Sequence, residues 1–291
     1  MAELAARLGV RRGKPRVAVT DEFLLPTHFP FFARFLHELG QDLIILRRAD
    51  RAMLKRGIQL SNVPFCAPLQ LFHGIAAALA ATDAERVFIP RLRHLPTARE
   101  GLPAVNCPVA QAGADVVGWD LQSDLGGRLL SPPVDFGPDH LHGPALLEAC
   151  RQIARGLGAD EAACHRAHRQ AVEEQRTFDD RVQAIGQRAL AFARSHQIPA
   201  VVILGRPYTI HNPVLNSNVP VILREQGALA LPGETFPCHR TPPSTPNSTG
   251  ATAAASCAPP MPSAINPAPM PSSAAITPAA RTACACPSAA T

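Results

Sequence analysis

The sequence predicts an α/β protein: a Rossmann-like parallel sheet in the N-terminal half, long linking helices, the start of a second α/β unit and a disordered C-terminal tail. Three observations carry this. Short β-branched runs alternate with apolar helical patterns, the arrangement of a parallel sheet covered on both faces. A long stretch of helical periodicity without strand signals follows. The composition then changes abruptly after Phe236.

Arg16-Val-Ala-Val-Thr20 reads as the first strand. From Pro30 to Leu39, Phe31, Phe32, Phe35, Leu36 and Leu39 recur at helical spacing, and Gly40 ends the pattern. Asp42 to Leu46 reads as a buried strand and Asp50 to Arg56 as a short helix stopped by Gly57. Ala67 to Ala81 is a third helical pattern and Arg86 to Pro90 a third buried strand. These residues make up a Rossmann-like domain over 14–143, the hand of its crossovers following from the right-handed rule.

From Pro144 to Gln197 apolar residues return every three or four positions, interrupted around Gly156 to Asp160. One or two long helices are predicted over 144–198, with Asp160 near the start of the second. Ala200 to Gly205 is another buried strand, Pro220 to Gln226 a short helix and Ala228 to Leu231 a further strand. They form an incomplete second α/β unit over 199–236. The segment 237–291 contains no Leu, Val, Lys, Asp or Glu and shows neither periodicity. Such a stretch buries too little apolar area to offset the ordering of its backbone, roughly 1–2 kcal/mol per residue. It is expected to be disordered, and its composition is also what GC-rich DNA gives when translated out of frame.

The chain has 291 residues, 46% of them apolar, enough for a sizeable core. The net charge is +5, but the positive residues are scattered and lysine occurs only at Lys14 and Lys55. No basic stripe interleaved with aromatics marks a nucleic-acid surface. There is no secretory leader pattern and no apolar run of the roughly 20 residues that spans a bilayer, so a cytoplasmic protein is expected. In that compartment eight cysteines point to metal ligation, catalysis or burial rather than disulfides. Neither G-x-G-x-x-G nor a Walker loop is present, and no G-x-S-x-G elbow supports a serine hydrolase.

Three motifs can carry chemistry. In Ser61-Asn-Val-Pro-Phe-Cys66-Ala-Pro-Leu-Gln-Leu-Phe-His73-Gly74 the cysteine stands just before a helix with Pro68 in its first turn. A thiolate there faces free N–H groups and the positive end of the helix dipole, which suits a metal ligand or nucleophile; burial of a small residue at the junction is the other reading. Asn106-Cys107-Pro108 repeats the pattern. Two thiols at strand-to-helix junctions on one sheet edge can meet at the carboxyl ends of the strands, although their spacing is not that of a zinc knuckle. Leu204-Gly205-Arg206-Pro207-Tyr208 presents Arg206 at a strand end, where its planar fork suits a phosphate or carboxylate, beside Tyr208 as a hydrogen-bond donor. A simple proline-held turn is the alternative. Cys164-His165-x-x-His168 reads as a solvated helix face and His94 as loop surface. Cys238, Cys257, Cys284 and Cys286 receive no role.

Together these motifs resemble the acyl-CoA dehydratase activase-related family, linked to 2-hydroxyglutaryl-CoA dehydratase and benzoyl-CoA reductase subunits. The resemblance covers about 17 to 235. It rests on Pro30-Phe-Phe-Ala-Arg-Phe, Glu38-Leu-Gly40, Gly57-Ile58, Cys66-Ala-Pro-Leu-Gln-Leu-x-His73-Gly74, Val87-Phe-Ile-Pro90, Cys107-Pro108-Val-x-Gln111 and Gly205-Arg206-Pro207-Tyr208. It implies a [4Fe–4S] cluster with Cys66 and Cys107 among its ligands, an ATP-dependent activase that delivers one electron, a second dehydratase-like subunit and an acyl-CoA substrate reduced at its thioester carbonyl. Arg206 and Tyr208 are the expected substrate-side residues. Family members carry a further cysteine followed by Gly and Pro, and this sequence has no such motif.

Overall fold

The computed structural model describes residues 2–95, 104–137 and 140–236. Its strands are β1 (Arg16–Thr20), β2 (Asp42–Leu46), β3 (Arg86–Phe88), β4 (Arg91–Leu92), β5 (His94–Leu95), β6 (Ala104–Val105), β7 (Leu129–Leu130), β8 (Pro133–Val134), β9 (Ala200–Ile203) and β10 (Leu229–Pro232). The main sheet has the order β2-β1-β3-β7 and is parallel throughout. Its ladder pairs Arg16 with Asp42 through to Thr20 with Leu46, Ala18 with Val87, and Val87 with Leu129. Val17, Ala18 and Val19 are fully buried, as the central position of β1 requires.

The parallel ladder continues past β3 and β7. Ile89 donates its N–H to Leu130, Arg91 to Pro132 and Arg93 to Val134. Pro132 has no N–H to return to Ile89, and this breaks one run of paired chain into β3 with β7 and β4 with β8. The strand expected over Arg86 to Pro90 thus ends at Phe88, and β7 and β8 carry no strand signal in the sequence.

The helix Phe29–Glu38 fully buries Phe29, Phe31, Phe32, Ala33, Phe35 and Leu36. Its N-terminus is closed from a distance: Gln175, buried on the helix Glu161–Ser195, accepts from the N–H of Phe31 at 3.2 Å and donates to the carbonyl of Thr27 at 2.8 Å. The linking region is two helices, Pro144–Gly156 and Glu161–Ser195, and Asp160 caps the second by accepting from the N–H of Ala163 at 2.7 Å. Beyond it β9 and β10 pair in parallel, Ala200 with Leu229 through Ile203 with Pro232, bridged by the helix Val219–Glu225.

Several expectations are corrected. The helix over Arg51–Leu60 does not stop at Gly57 but runs through it. β2 is an edge strand and only half-buried along its length. β9 is not buried: its first two residues are exposed, because only β10 pairs with it among the described residues. The expectation for 237–291 lies outside the described residues. No helix among the described residues is long and apolar enough to cross a membrane.

Candidate functional site

The chain crosses from β1 to β2 on one side and then back to β3 on the other, so β1 and β3 flank a topological switch point, where open α/β sheets bind ligands at the carboxyl ends of their strands. Just after β1, Phe23 takes a left-handed backbone conformation, φ 57°, which a bulky residue adopts only when its surroundings hold it there. They do: its ring stacks on Phe72, centroids 4.1 Å apart, and meets Tyr208 at 5.6 Å. Phe72 belongs to the helix Ala67–Ala80 that begins at Cys66. Tyr208 belongs to the short helix Pro207–Ile210 that begins at Arg206.

Cys66, Cys107 and Arg206 share one local design. Each is the N-cap of a helix, Ala67–Ala80, Pro108–Gln111 and Pro207–Ile210 respectively, and each helix has proline in its first two positions. The missing N–H of a first-turn proline costs nothing there, and its fixed φ suits the helix. None of the three caps spends its side chain on the helix it starts, so the two thiols and the guanidinium stay available. Cys66 and Arg206 are exposed, whereas Cys107 and Tyr208 are half-buried against the core.

The phenol of Tyr208 joins them. Burial raises its pKa above the usual tyrosine value; Arg206 acts on it in the opposite sense, and Cys107 and Cys66 reinforce the rise. The Tyr208 hydroxyl therefore lies within electrostatic range of the guanidinium and both sulfurs. The cysteines do not close two strands of one parallel sheet, as the sequence suggests: Cys66 follows the helix Arg51–Leu60 and Cys107 follows β6, which pairs antiparallel with β5, while Arg206 follows β9 of the separate β9-β10 pair.

The loop that carries Arg206 and Tyr208 is latched to the main sheet by Asn212, which is buried. Its Nδ2 donates to Glu22 Oε2 at 3.0 Å and to the carbonyl of Ala49 at 3.1 Å, while its Oδ1 accepts from the N–H of Val214 at 2.9 Å. Glu22 in turn accepts from the N–H of Ala49 at 2.9 Å. The exits of β1 and β2 and the loop after β9 are thus tied by one amide and one carboxylate.

Sequence reasoning missed the role of Phe23, the docking of Asn212 and the pairing of His73 with Asp120. No fixed spacing announces residues that meet across 47 positions of chain, as that pair does. Asn212 stands in an Asn-Pro turn signal, which marks a loop but not its docking partner. Two weaker candidates are also placed. His94 is not loop surface: it lies in β5 with Nδ1 2.6 Å from Asp135 Oδ2. Cys164 is fully buried, and His168 packs edge-on against Phe31 with its pKa lowered by burial, so only His165 of that motif faces outward, beside Glu161.

No group of three or more His, Cys, Asp or Glu among the described residues is arranged to hold a metal ion. Cys66 and Cys107 supply two thiolates, and a [4Fe–4S] cluster takes four ligands, so the described residues alone do not complete a cluster site. What they do offer is two cysteine thiols, an exposed guanidinium and a phenol kept protonated by burial, packed on Phe23. No curated protein and no solved structure matches the chain. The family model described as the CoA enzyme activase uncharacterised domain matches residues 16–235. That span includes the whole sheet, both cysteines, Arg206 and Tyr208, and by it the chain belongs to the family of the CoA enzyme activase uncharacterised domain.

Proposed function

We propose that the chain is an iron–sulfur component of a 2-hydroxyacyl-CoA dehydratase-like system, the one to which an ATP-dependent activase delivers an electron. Cys66 and Cys107 are its share of the cluster ligands, and the remaining ligands come from outside the described site, in the first place from a second dehydratase-like subunit. The observation that supports this reading is that both sulfurs lie close enough to the Tyr208 phenol, itself packed on Phe23 just past β1, to act on its charge, in a chain of this family. Arg206 suits the phosphates or carboxylate of an acyl-CoA, and Tyr208, held protonated by burial, serves as a hydrogen-bond donor toward a thioester carbonyl.

Anaerobic reconstitution with iron and sulfide, followed by absorbance and electron paramagnetic resonance, tests the proposal. The expected result is a brown protein whose iron content falls in Cys66→Ser and in Cys107→Ser. Colourless protein with iron near zero, in the presence of the second subunit as well as alone, overturns it.

A second reading rests on Arg206, which is exposed and whose guanidinium makes no hydrogen bond or ion pair with any described residue. In it the chain is a non-catalytic α/β module that binds acyl-CoA or an anionic partner. Calorimetry against CoA thioesters, with Arg206→Ala as the comparison, separates the two: binding that is lost in this variant while no iron is taken up favours the module.

A further inference from the structure

Both ring nitrogens of His73 face acceptors. Nδ1 lies 2.9 Å from the carbonyl oxygen of Leu69 and Nε2 lies 2.8 Å from Oδ2 of Asp120. The ring thus bridges the backbone of its own helix and the carboxylate of Asp120. The pair is shut away from water: the His73 side chain is 0% exposed and that of Asp120 5%. Asp120 also accepts from Nδ2 of Asn62 at 2.7 Å and lies 3.4 Å from the N–H of Asn62. Burial pushes the Asp120 carboxyl up, and hydrogen bonds from His73 and Asn62 more than offset this, leaving it below the usual carboxylate range.

The place of these residues in the chain gives the pair its meaning. His73 lies two turns along the helix that Cys66 caps, on the same face as the cysteine. Asp120 ends the helix Gly113–Asp120, which directly follows the short helix capped by Cys107. Asn62 sits four residues before Cys66, in the loop that delivers it. The network thus joins the loop and helix of one cysteine to the helical segment of the other. A buried polar pair of this kind adds little net stability, since desolvation offsets the attraction, and its best-attested use is to fix the register of the elements it joins.

We propose that His73, Asp120 and Asn62 form a buried clamp that sets the spacing of Cys66 and Cys107, so that all three are positioning residues of the two-thiol site. This rests on the reading of Cys66 and Cys107 as one site. The test uses the full chain with Cys238, Cys257, Cys284 and Cys286 changed to serine and a bimane reagent that fluoresces only when it bridges two thiols. The starting protein is expected to fluoresce, and Cys66→Ser or Cys107→Ser to abolish the signal. Asp120→Ala is expected to slow bridging about tenfold and Asn62→Ala about threefold, in line with the sensitivity of paired reactions to small misplacements. Asp120→Asn, which keeps an acceptor for His73, recovers most of the rate, and Asp115→Ala on the exposed side of the same helix leaves it unchanged. Labelling of each cysteine alone, with the other changed to serine, is expected to stay within about twofold in every variant, since the clamp acts on spacing rather than on access.

Bridging at the starting rate in both Asp120→Ala and Asn62→Ala overturns the clamp. A starting protein that does not bridge overturns the pairing and the clamp together, whereas normal bridging with failed iron uptake overturns only the cluster. Should Asp120→Ala fail to fold, Asn62→Ala decides alone, because that exposed residue removes only the loop arm.

Discussion

Gly57 and Gly74 bring the helices Arg51–Leu60 and Ala67–Ala80 into backbone contact. A Cβ on Gly57 would stand 1.8 Å from the carbonyl oxygen of Gln70 and 2.8 Å from the nitrogen of Gly74; a Cβ on Gly74 would stand 2.0 Å from the carbonyl oxygen of Met53. Neither helix can absorb a methyl group without moving away, and the second helix carries Cys66 at its start. Gly57→Ala and Gly74→Ala are each expected to cost about 3 kcal/mol or more, at the upper end of overpacking, despite the better helix propensity of alanine. Urea unfolding with circular dichroism measures this, and a loss below about 1 kcal/mol would show that the two helices are not in backbone contact.

Tyr208 is the only tyrosine in the chain, so its ionisation can be followed without interference by ultraviolet absorbance after a rapid jump to alkaline pH. Its phenol is expected to titrate above the ordinary tyrosine value because it is buried. Removing either sulfur, in Cys66→Ser or Cys107→Ser, should lower the midpoint, and Arg206→Ala should raise it. Midpoints that ignore all three substitutions would mean that these side chains do not share a site.

His28 predicts an acid-sensitive step. Burial, with a further contribution from His140, pushes its pKa down to about 4, and its ring packs on Phe136 with Nδ1 2.9 Å from Thr27 Oγ1. The unfolded chain therefore binds a proton near pH 6.5 that the folded chain refuses. The contribution is fully present above that pH and is lost as pH falls from 6.5 toward 4, to a ceiling of roughly 3 kcal/mol. Scanning calorimetry from pH 7 to 4.5 should show a shallower fall in Tm for His28→Asn than for the native chain. Parallel curves would contradict the assignment.

Asn212 predicts an inverted order of severity. Asn212→Ala removes the donors to Glu22 and Ala49 and is expected to cost about 2 kcal/mol. Asn212→Asp keeps the shape but sets a carboxylate against Glu22 and the Ala49 carbonyl, so the smaller change in volume should be the more damaging one. Equal stability of Asn212→Asp and the native chain, in urea unfolding at pH 7, would rule out this latch.

Much of this architecture can be read from the sequence because it is local. The strands β1 and β2, the aromatic helix Phe29–Glu38, the Asp160 cap and the junction cysteines all follow from period, capping chemistry or proline position. What escapes reading depends on partners distant in the chain. Gly57 has the look of a helix stop, yet its role is set by Gly74 across the contact. An apolar run such as Ala200 to Ile203 reads as buried, and only its strand neighbours decide whether it is. The split of β3 from β4 comes from Pro132 on the facing strand, and β7 and β8 are two residues each, too short for any periodicity. At the site, Cys66, Cys107, Arg206 and Tyr208 announce themselves by neighbouring prolines, whereas Asp120 and Phe23 matter only through what they touch.

The prolines that follow Cys66, Cys107 and Arg206 have a thermodynamic consequence for whatever binds at them. Backbone that is already rigid at all three entry points loses little freedom when a guest arrives, because its conformational entropy was surrendered when the polypeptide folded. Association should thus resemble a key meeting a ready lock, and relaxing those junctions with alanine in place of Pro68, Pro108 and Pro207 should weaken capture chiefly by making it entropically dearer.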